Sequence, residues 1–261
     1  MYNVRADKRS EAPVDASVKK SEDNMNALFK SIRHSDLDAV KKAVEKNPGV
    51  VNEIYTAKAP KKDIGLSPLQ VALKVGEFEI VRYLLEQGAD PDFMEDPKTV
   101  PPHSTCKPIL CDAVHFTMDV ILSPFDNAIE QSEKYLDVVR ELLNRGADPN
   151  KETFKEEAPA NSRPALGELA GIADYVFFRH KDHDAERYQF AKKQMFTILD
   201  LLLDHGADFE AWLDGGSLLG LYTNRECYWD GVSSKDGKEL KVGQYTREVL
   251  KEYFASRSGN A

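Results

Sequence analysis

Apolar residues recur along this chain with the period of a helix, and the recurrence is itself repeated. Phe78, Val81, Leu84 and Leu85 fall at i, i+3, i+6 and i+7, which places them on one helical face. Leu136, Val139, Leu142 and Leu143 repeat the set 58 positions later, and Phe196, Leu199, Leu202 and Leu203 repeat it after 60 more. A weaker copy, Leu37, Val40, Ala43 and Val44, comes first. The spacing predicts four equivalent helices. Three of them end alike, at Leu84-Leu85-Glu86-Gln87-Gly88-Ala89-Asp90, Leu142-Leu143-Asn144-Arg145-Gly146-Ala147-Asp148 and Leu202-Leu203-Asp204-His205-Gly206-Ala207-Asp208. Each Gly sits where a left-handed C-cap needs a residue without Cβ, and each Asp can bond its own backbone to start a turn. In the weaker copy Asn47-Pro48-Gly49 ends the helix by proline.

A second, shorter helix is expected before each of these. Ser67-Pro68-Leu69 supplies an N-cap serine, a proline for the first turn and an apolar entry, and Ser123-Pro124-Phe125 has the same form. Ala27-Leu28-Phe29 and Pro164-Ala165-Leu166 hold the comparable places in the first and fourth units. Self-similarity of this kind points to stacked units with a long accessible surface.

The second unit, Gly65-Leu66-Ser67-Pro68-Leu69-Gln70-Val71-Ala72 through Leu84-Leu85 to Gly88-Ala89-Asp90-Pro91-Asp92, resembles an ankyrin repeat nearly complete. The resemblance covers about 24–210 and implies an all-α solenoid of four to five helix-turn-helix units, with β-turn or hairpin loops and long insertions. Units are expected at about 24–52, 65–92, 123–150 and 162–210, with 1–23 a flexible, solvated tail and 211–261 a divergent fifth repeat and cap. Ankyrin units recur every ~33 residues, whereas the turns at Asn52, Asp92, Asn150 and Glu210 are 40, 58 and 60 apart. The excess is assigned to loops at 53–64, 93–122, 151–161 and about 175–190. Gly215-Gly216-Ser217-Leu218 resembles the opening of a fifth unit, and 244–256 reads as a final amphipathic helix with Val249, Leu250, Tyr253 and Phe254 on one face.

The chain is 261 residues with a formal charge of −9, which argues against general affinity for nucleic acid or anionic membrane and favours a basic partner. Cys106, Cys111 and Cys227 are too sparse for a disulfide scaffold and suit a reducing compartment. There is neither an apolar signal-peptide core in residues 1–23 nor an 18-residue apolar run. The expected location is therefore the cytoplasm, or a host cytosol after delivery.

Two clusters carry candidate chemistry. His103, Cys106, Cys111 and His115 offer zinc two imidazoles and two thiols, although with unfamiliar spacing; the plain alternative is a pair of buried small hydrophobes. His180-Lys181-Asp182-His183-Asp184 offers imidazoles beside carboxylates for a metal or a general base, or simply a solvated loop. No nucleophile elbow or phosphate loop is present, so no catalytic residue and no cofactor are assigned. Trp212, Tyr228 and Trp229 would cap the stack or anchor a partner.

The resemblance implies a partner groove on the short first helices. Carried onto matching positions it names Lys30, Arg33 and His34 in unit one, Leu66, Val71, Lys74 and Val75 in unit two, and Leu122, Asn127, Glu130 and Gln131 in unit three, with Glu168 in unit four. The expected function is a non-catalytic, monomeric scaffold that binds another protein. A specific inhibitor, immunity protein or host-directed effector is its sharper form, and a metal-dependent protein or enzyme using either cluster is the rival.

Overall fold

Caps written in the sequence set the helix limits. The computed structural model describes residues 16–56, 61–102, 104–154, 162–208, 212–213, 216–217 and 244–258. Helix α1 spans Ala16–Arg33 and α2 Leu37–Lys46, the latter capped by Asp36, whose carboxylate accepts from Ala39 N at 2.9 Å. Ser67 caps α3 (Pro68–Val75) through Gln70 N at 3.1 Å, and α4 follows at Phe78–Glu86. Then come α5 (Ile109–Asp119), α6 (Ala128–Asn144), α7 (Ala165–His180) and α8 (Ala185–Asp204). A two-residue antiparallel pair, β1 (Trp212–Leu213) with β2 (Gly216–Ser217), precedes α9 (Gln244–Ser258).

These helices form four pairs. The first helices, α1, α3, α5 and α7, pack side by side in one layer, and α2, α4, α6 and α8 form the second. One continuous core runs between the layers, from Leu28, Phe29 and Ile32 through Leu69, Leu73, Leu84 and Leu85 to Phe177, Ile198 and Leu202. The fold is an all-α solenoid.

The second helix of units two, three and four ends in one geometry. Gly88, Gly146 and Gly206 have φ of 87°, 95° and 85°. The Ala that follows donates to the carbonyl five residues back, Ala89 to Leu84 at 2.9 Å, Ala147 to Leu142 at 3.0 Å and Ala207 to Leu202 at 2.9 Å. A polar side chain from the preceding unit then fastens each turn. Asn52 Nδ2 donates to Gly88 O at 3.0 Å while its Oδ1 accepts from Asp90 N at 2.9 Å. Asn150 does the same to Gly206 O at 2.9 Å and Asp208 N at 2.6 Å. At the middle joint Asp92 accepts from Asp148 N at 3.1 Å. A carboxylate has no hydrogen to offer Gly146, and Lys151 binds Asp92 instead, Nζ to Oδ2 at 2.8 Å.

Four expectations change. Helix α1 begins at Ala16, inside the stretch read as a tail; residues 1–15 lie outside the described residues. The first helix of unit three is α5, within the supposed 93–122 loop, and not a helix opened by Ser123-Pro124. Pro108-Ile109-Leu110 is its entry, and α5 is buried from Ile109 to Val114, so it shows no amphipathic stripe to read. The gap in unit four is only the turn between His180 and Ala185, because α7 is likewise buried almost all round. Gly216 and Ser217 pair with β1 where a fifth unit was expected to open, and Gly215 and 218–243 lie outside the described residues.

The amphipathic C-terminal helix is α9. It lies on α7 and α8, with Val249 and Leu250 fully buried and Tyr253 edge-on to Phe196 at 5.2 Å. Tyr253 donates to Asp200 at 2.7 Å, Lys181 pairs with Glu248 at 2.6 Å, and Lys192 pairs with Glu252.

Three substitutions test the turns. Gly146→Ala should cost about 1–2 kcal/mol through its left-handed φ alone, since no atom lies within 4 Å of the added Cβ. Asn150→Ala should cost about 1–2 kcal/mol and Asn150→Asp less, because aspartate keeps the acceptor half of the pair. Urea unfolding midpoints at constant m-value measure all three.

Candidate partner-binding face

The first-helix layer has one side turned away from the core, and its exposed positions define the candidate face. On α1 these are Asn26 and Lys30, with His34 just beyond its end; on α3, Lys74; on α5, the partly exposed His115 and Asp119; on α7, Tyr175 and Arg179. Lys30 has no ion pair among the described residues. His34 Nδ1 lies 2.7 Å from Lys30 O. Tyr175 is 51% accessible, one turn before Phe178, whose ring lies 5.7 Å from Tyr245 of α9.

Several residues carried over by resemblance are spent inside the fold. Leu66 and Val71 are buried in the core. Arg33 binds the fully buried Asp63, Nε to Oδ2 at 2.6 Å, which closes the joint between units one and two. Lys74 sits 3.5 Å from Glu95 and 3.3 Å from Asp112, and Val75 is half-buried. Leu122 lies at the end of a 3-10 turn after α5, Asn127 precedes α6, and Glu130 and Gln131 occupy the first turn of α6. None of these four belongs to a first helix, because the first helix of unit three had been placed one element too late. Glu130 is exposed and pairs with Lys134 at 2.6 Å. Tyr175 and Asp119 were not among the residues expected on this face, and His115 was named only as a zinc candidate. The signal for α5 was Pro108-Ile109-Leu110 before Ala113, a variant of Ser67-Pro68-Leu69 before Ala72.

Beneath the face runs a chain of buried charges. Gln70 Nε2 donates to Glu95 at 2.6 Å and to Asp112 at 3.1 Å, and Lys107 N donates to the other oxygen of Glu95 at 2.7 Å. Burial raises the Glu95 carboxyl above its ordinary range, against the pull of Lys74. Lys107 then reaches Glu168 at 3.3 Å, where His115 stands at 3.6 Å and Arg163 at 3.7 Å. Burial alone would raise Glu168, but His115, Lys107 and Arg163 outweigh it and hold the carboxyl at about 2. Glu168 is therefore the ionic centre joining units three and four, not a surface contact.

The zinc candidates do not converge. Cys106 pairs through its backbone with Phe154, Cys111 Sγ faces Lys151 O at 4.0 Å, and His115 turns to Glu168. Burial and the Glu95 carboxylate push the Cys106 thiol up to about 11, and Cys111 is raised too, which opposes thiolate formation. His103 and Cys227 lie outside the described residues, as do Tyr228, Trp229 and the side chain of Trp212. The second cluster is dispersed as well. Asp184 caps α8, and the half-buried His180 is hydrogen-bonded to the Ile121 backbone. Among the described residues no three His, Cys, Asp or Glu side chains are placed to share a metal ion.

On the opposite layer a cleft of about 670 Å³ separates α4 from α6. Its floor is Phe78, Val81, Leu85 and Val138, and its rim charges pair within their own helices, Arg82 with Glu79 and Arg140 with Asp137.

A family model described as ankyrin repeats (3 copies) matches residues 8–95. The matched stretch is built of ankyrin repeats. Beyond the matched span the same helix pair, glycine cap and fastened turn continue to Asp208, so these repeats extend through α8. Ankyrin repeats are generally protein–protein interaction modules, and proteins built from them are typically non-catalytic. No curated protein matches the chain. No described helix is long and apolar enough to cross a membrane.

The sign of the Glu168 shift fixes a pH window. Its folded value lies below that of the unfolded chain, so its stabilisation is complete above about pH 5 and is lost as pH falls toward 2. Glu168→Gln should cost on the order of 2–3 kcal/mol at pH 7 and flatten the acid limb between about pH 5 and 2. Glu95 acts the other way, contributing most in acid and losing that contribution as pH rises through its raised folded value. Unfolding curves of wild type and Glu168→Gln at stepped pH separate the two effects.

Proposed function

We propose that this chain is a non-catalytic scaffold that holds a partner protein along its first-helix face. The observation behind the reading is that the first-helix layer leaves polar and aromatic side chains to solvent along its length, from Lys30 on α1 and His34 just beyond it to Tyr175 and Arg179 on α7. Such a row suits recognition spread over several units, with the aromatic residue as anchor and the charges setting orientation and on-rate. Arg33, Leu66, Val71 and Glu168 are excluded from the contact set because the core and its buried ion pairs use them.

The test keeps the fold intact. Lys30→Glu, His34→Glu and Tyr175→Ala in one chain change only exposed side chains, so melting temperature should stay within about 2 °C of wild type. Affinity for a captured partner, measured by calorimetry, should fall at least about tenfold. Undiminished affinity in the folded triple variant would move the contact to another face.

A further inference from the structure

The turn between α5 and α6 carries the most exposed large apolar side chain among the described residues, Phe125, which is 71% accessible. Packing does not explain it, for the turn is closed by other groups. Ser123 Oγ accepts from Phe125 N at 3.3 Å, and Ala128 N donates to Phe125 O at 3.2 Å. Arg187 of α8 then fixes the backbone from beneath. Its guanidinium donates to Ile121 O at 3.0 Å, to Ser123 O, and to Phe125 O at 3.4 Å. Asp184 in turn holds Arg187, with Oδ2 3.4 Å from Nε, and caps α8 through Arg187 N at 3.0 Å. A side chain 62 to 66 residues away thus clamps three carbonyls in a row under one solvent-facing phenyl ring.

The charges beside it have one sign left over. Asp126 follows Phe125 directly, and Asp182 lies on the α7–α8 turn whose Asp184 and Arg187 hold the Phe125 turn. Both are exposed, and neither has an ion pair among the described residues. The cations at hand are committed, Arg187 to carbonyl oxygens and Lys181 to Glu248.

We propose that Phe125 is the anchor of a second interaction surface, formed by the α5–α6 and α7–α8 turns, for a protein that presents an apolar pocket rimmed by lysine or arginine. The surface lies at the helix ends and stands independently of the first-helix face. Clamping the turn lowers the ordering cost of docking, and a buried aromatic ring supplies the affinity. Asp126 and Asp182 add steering that weakens with salt.

The test places photoreactive benzoylphenylalanine at position 125 of the full chain in the source cells, with Lys193 on α8 as the control position. The protein crosslinked at 125 is identified, purified and titrated by calorimetry. Phe125→Ala should raise its dissociation constant at least about tenfold with unchanged melting temperature, and Phe125→Leu should recover part of the loss. Asp126→Lys with Asp182→Lys should weaken binding several-fold and flatten its salt dependence. Crosslinking at 125 no greater than at 193 would overturn the proposal. So would a partner indifferent to Phe125→Ala, or one that binds the lysine variants more tightly.

Discussion

Every Gly-Ala-Asp turn in this protein is completed by a side chain from the unit before it. The left-handed glycine leaves one carbonyl and one amide facing along the stack, and a single asparagine can serve both because its amide donates and accepts at once. Asn52 and Asn150 do so. The middle joint shows what the geometry demands when the residue is aspartate. Asp92 keeps the acceptor half, and Lys151 binds its carboxylate and its carbonyl from the following segment. Two joints are therefore neutral at the turn, and one is ionic.

The insertions extend the stack without loosening it. The segment after Asp92 returns Glu95 to Gln70, whose amide also donates to Asp112, and it delivers Lys107 to Glu168 one unit further on. Connecting strands meet in short pairings, Cys106 with Phe154 and Met94 with Pro108, so their backbone groups find partners. A buried carboxylate is costly unless it is paired. Those pairings bind units two, three and four into one body.

Much of this was legible in the chain, and the exceptions have a common cause. The second helices and their glycine caps announced themselves, because each has one wet side and one dry side. Helices α5 and α7 did not. Packed between neighbouring first helices, with α9 lying on α7 as well, they are apolar nearly all round and lose the period that betrays a helix. The fate of Arg33, Lys74 and Glu168 was hidden for another reason. Their partners lie 30, 21 and 61 residues away, a distance over which sequence spacing says nothing. Repeat analogy counted as idle several side chains that the fold itself engages.

Helix α9 occupies the flank where another repeat would dock. Its inward residues are apolar, and its edges are locked by Lys181, Lys192 and Arg257 to carboxylates across the boundary. Among the described residues, α9 thereby covers the outer flank of α7 and α8, like a bracket at the end of a row of books. Peeling α9 away would wet Phe196 and the flanks of α7 and α8, creating a sticky end that any amphipathic helix of similar length could cover.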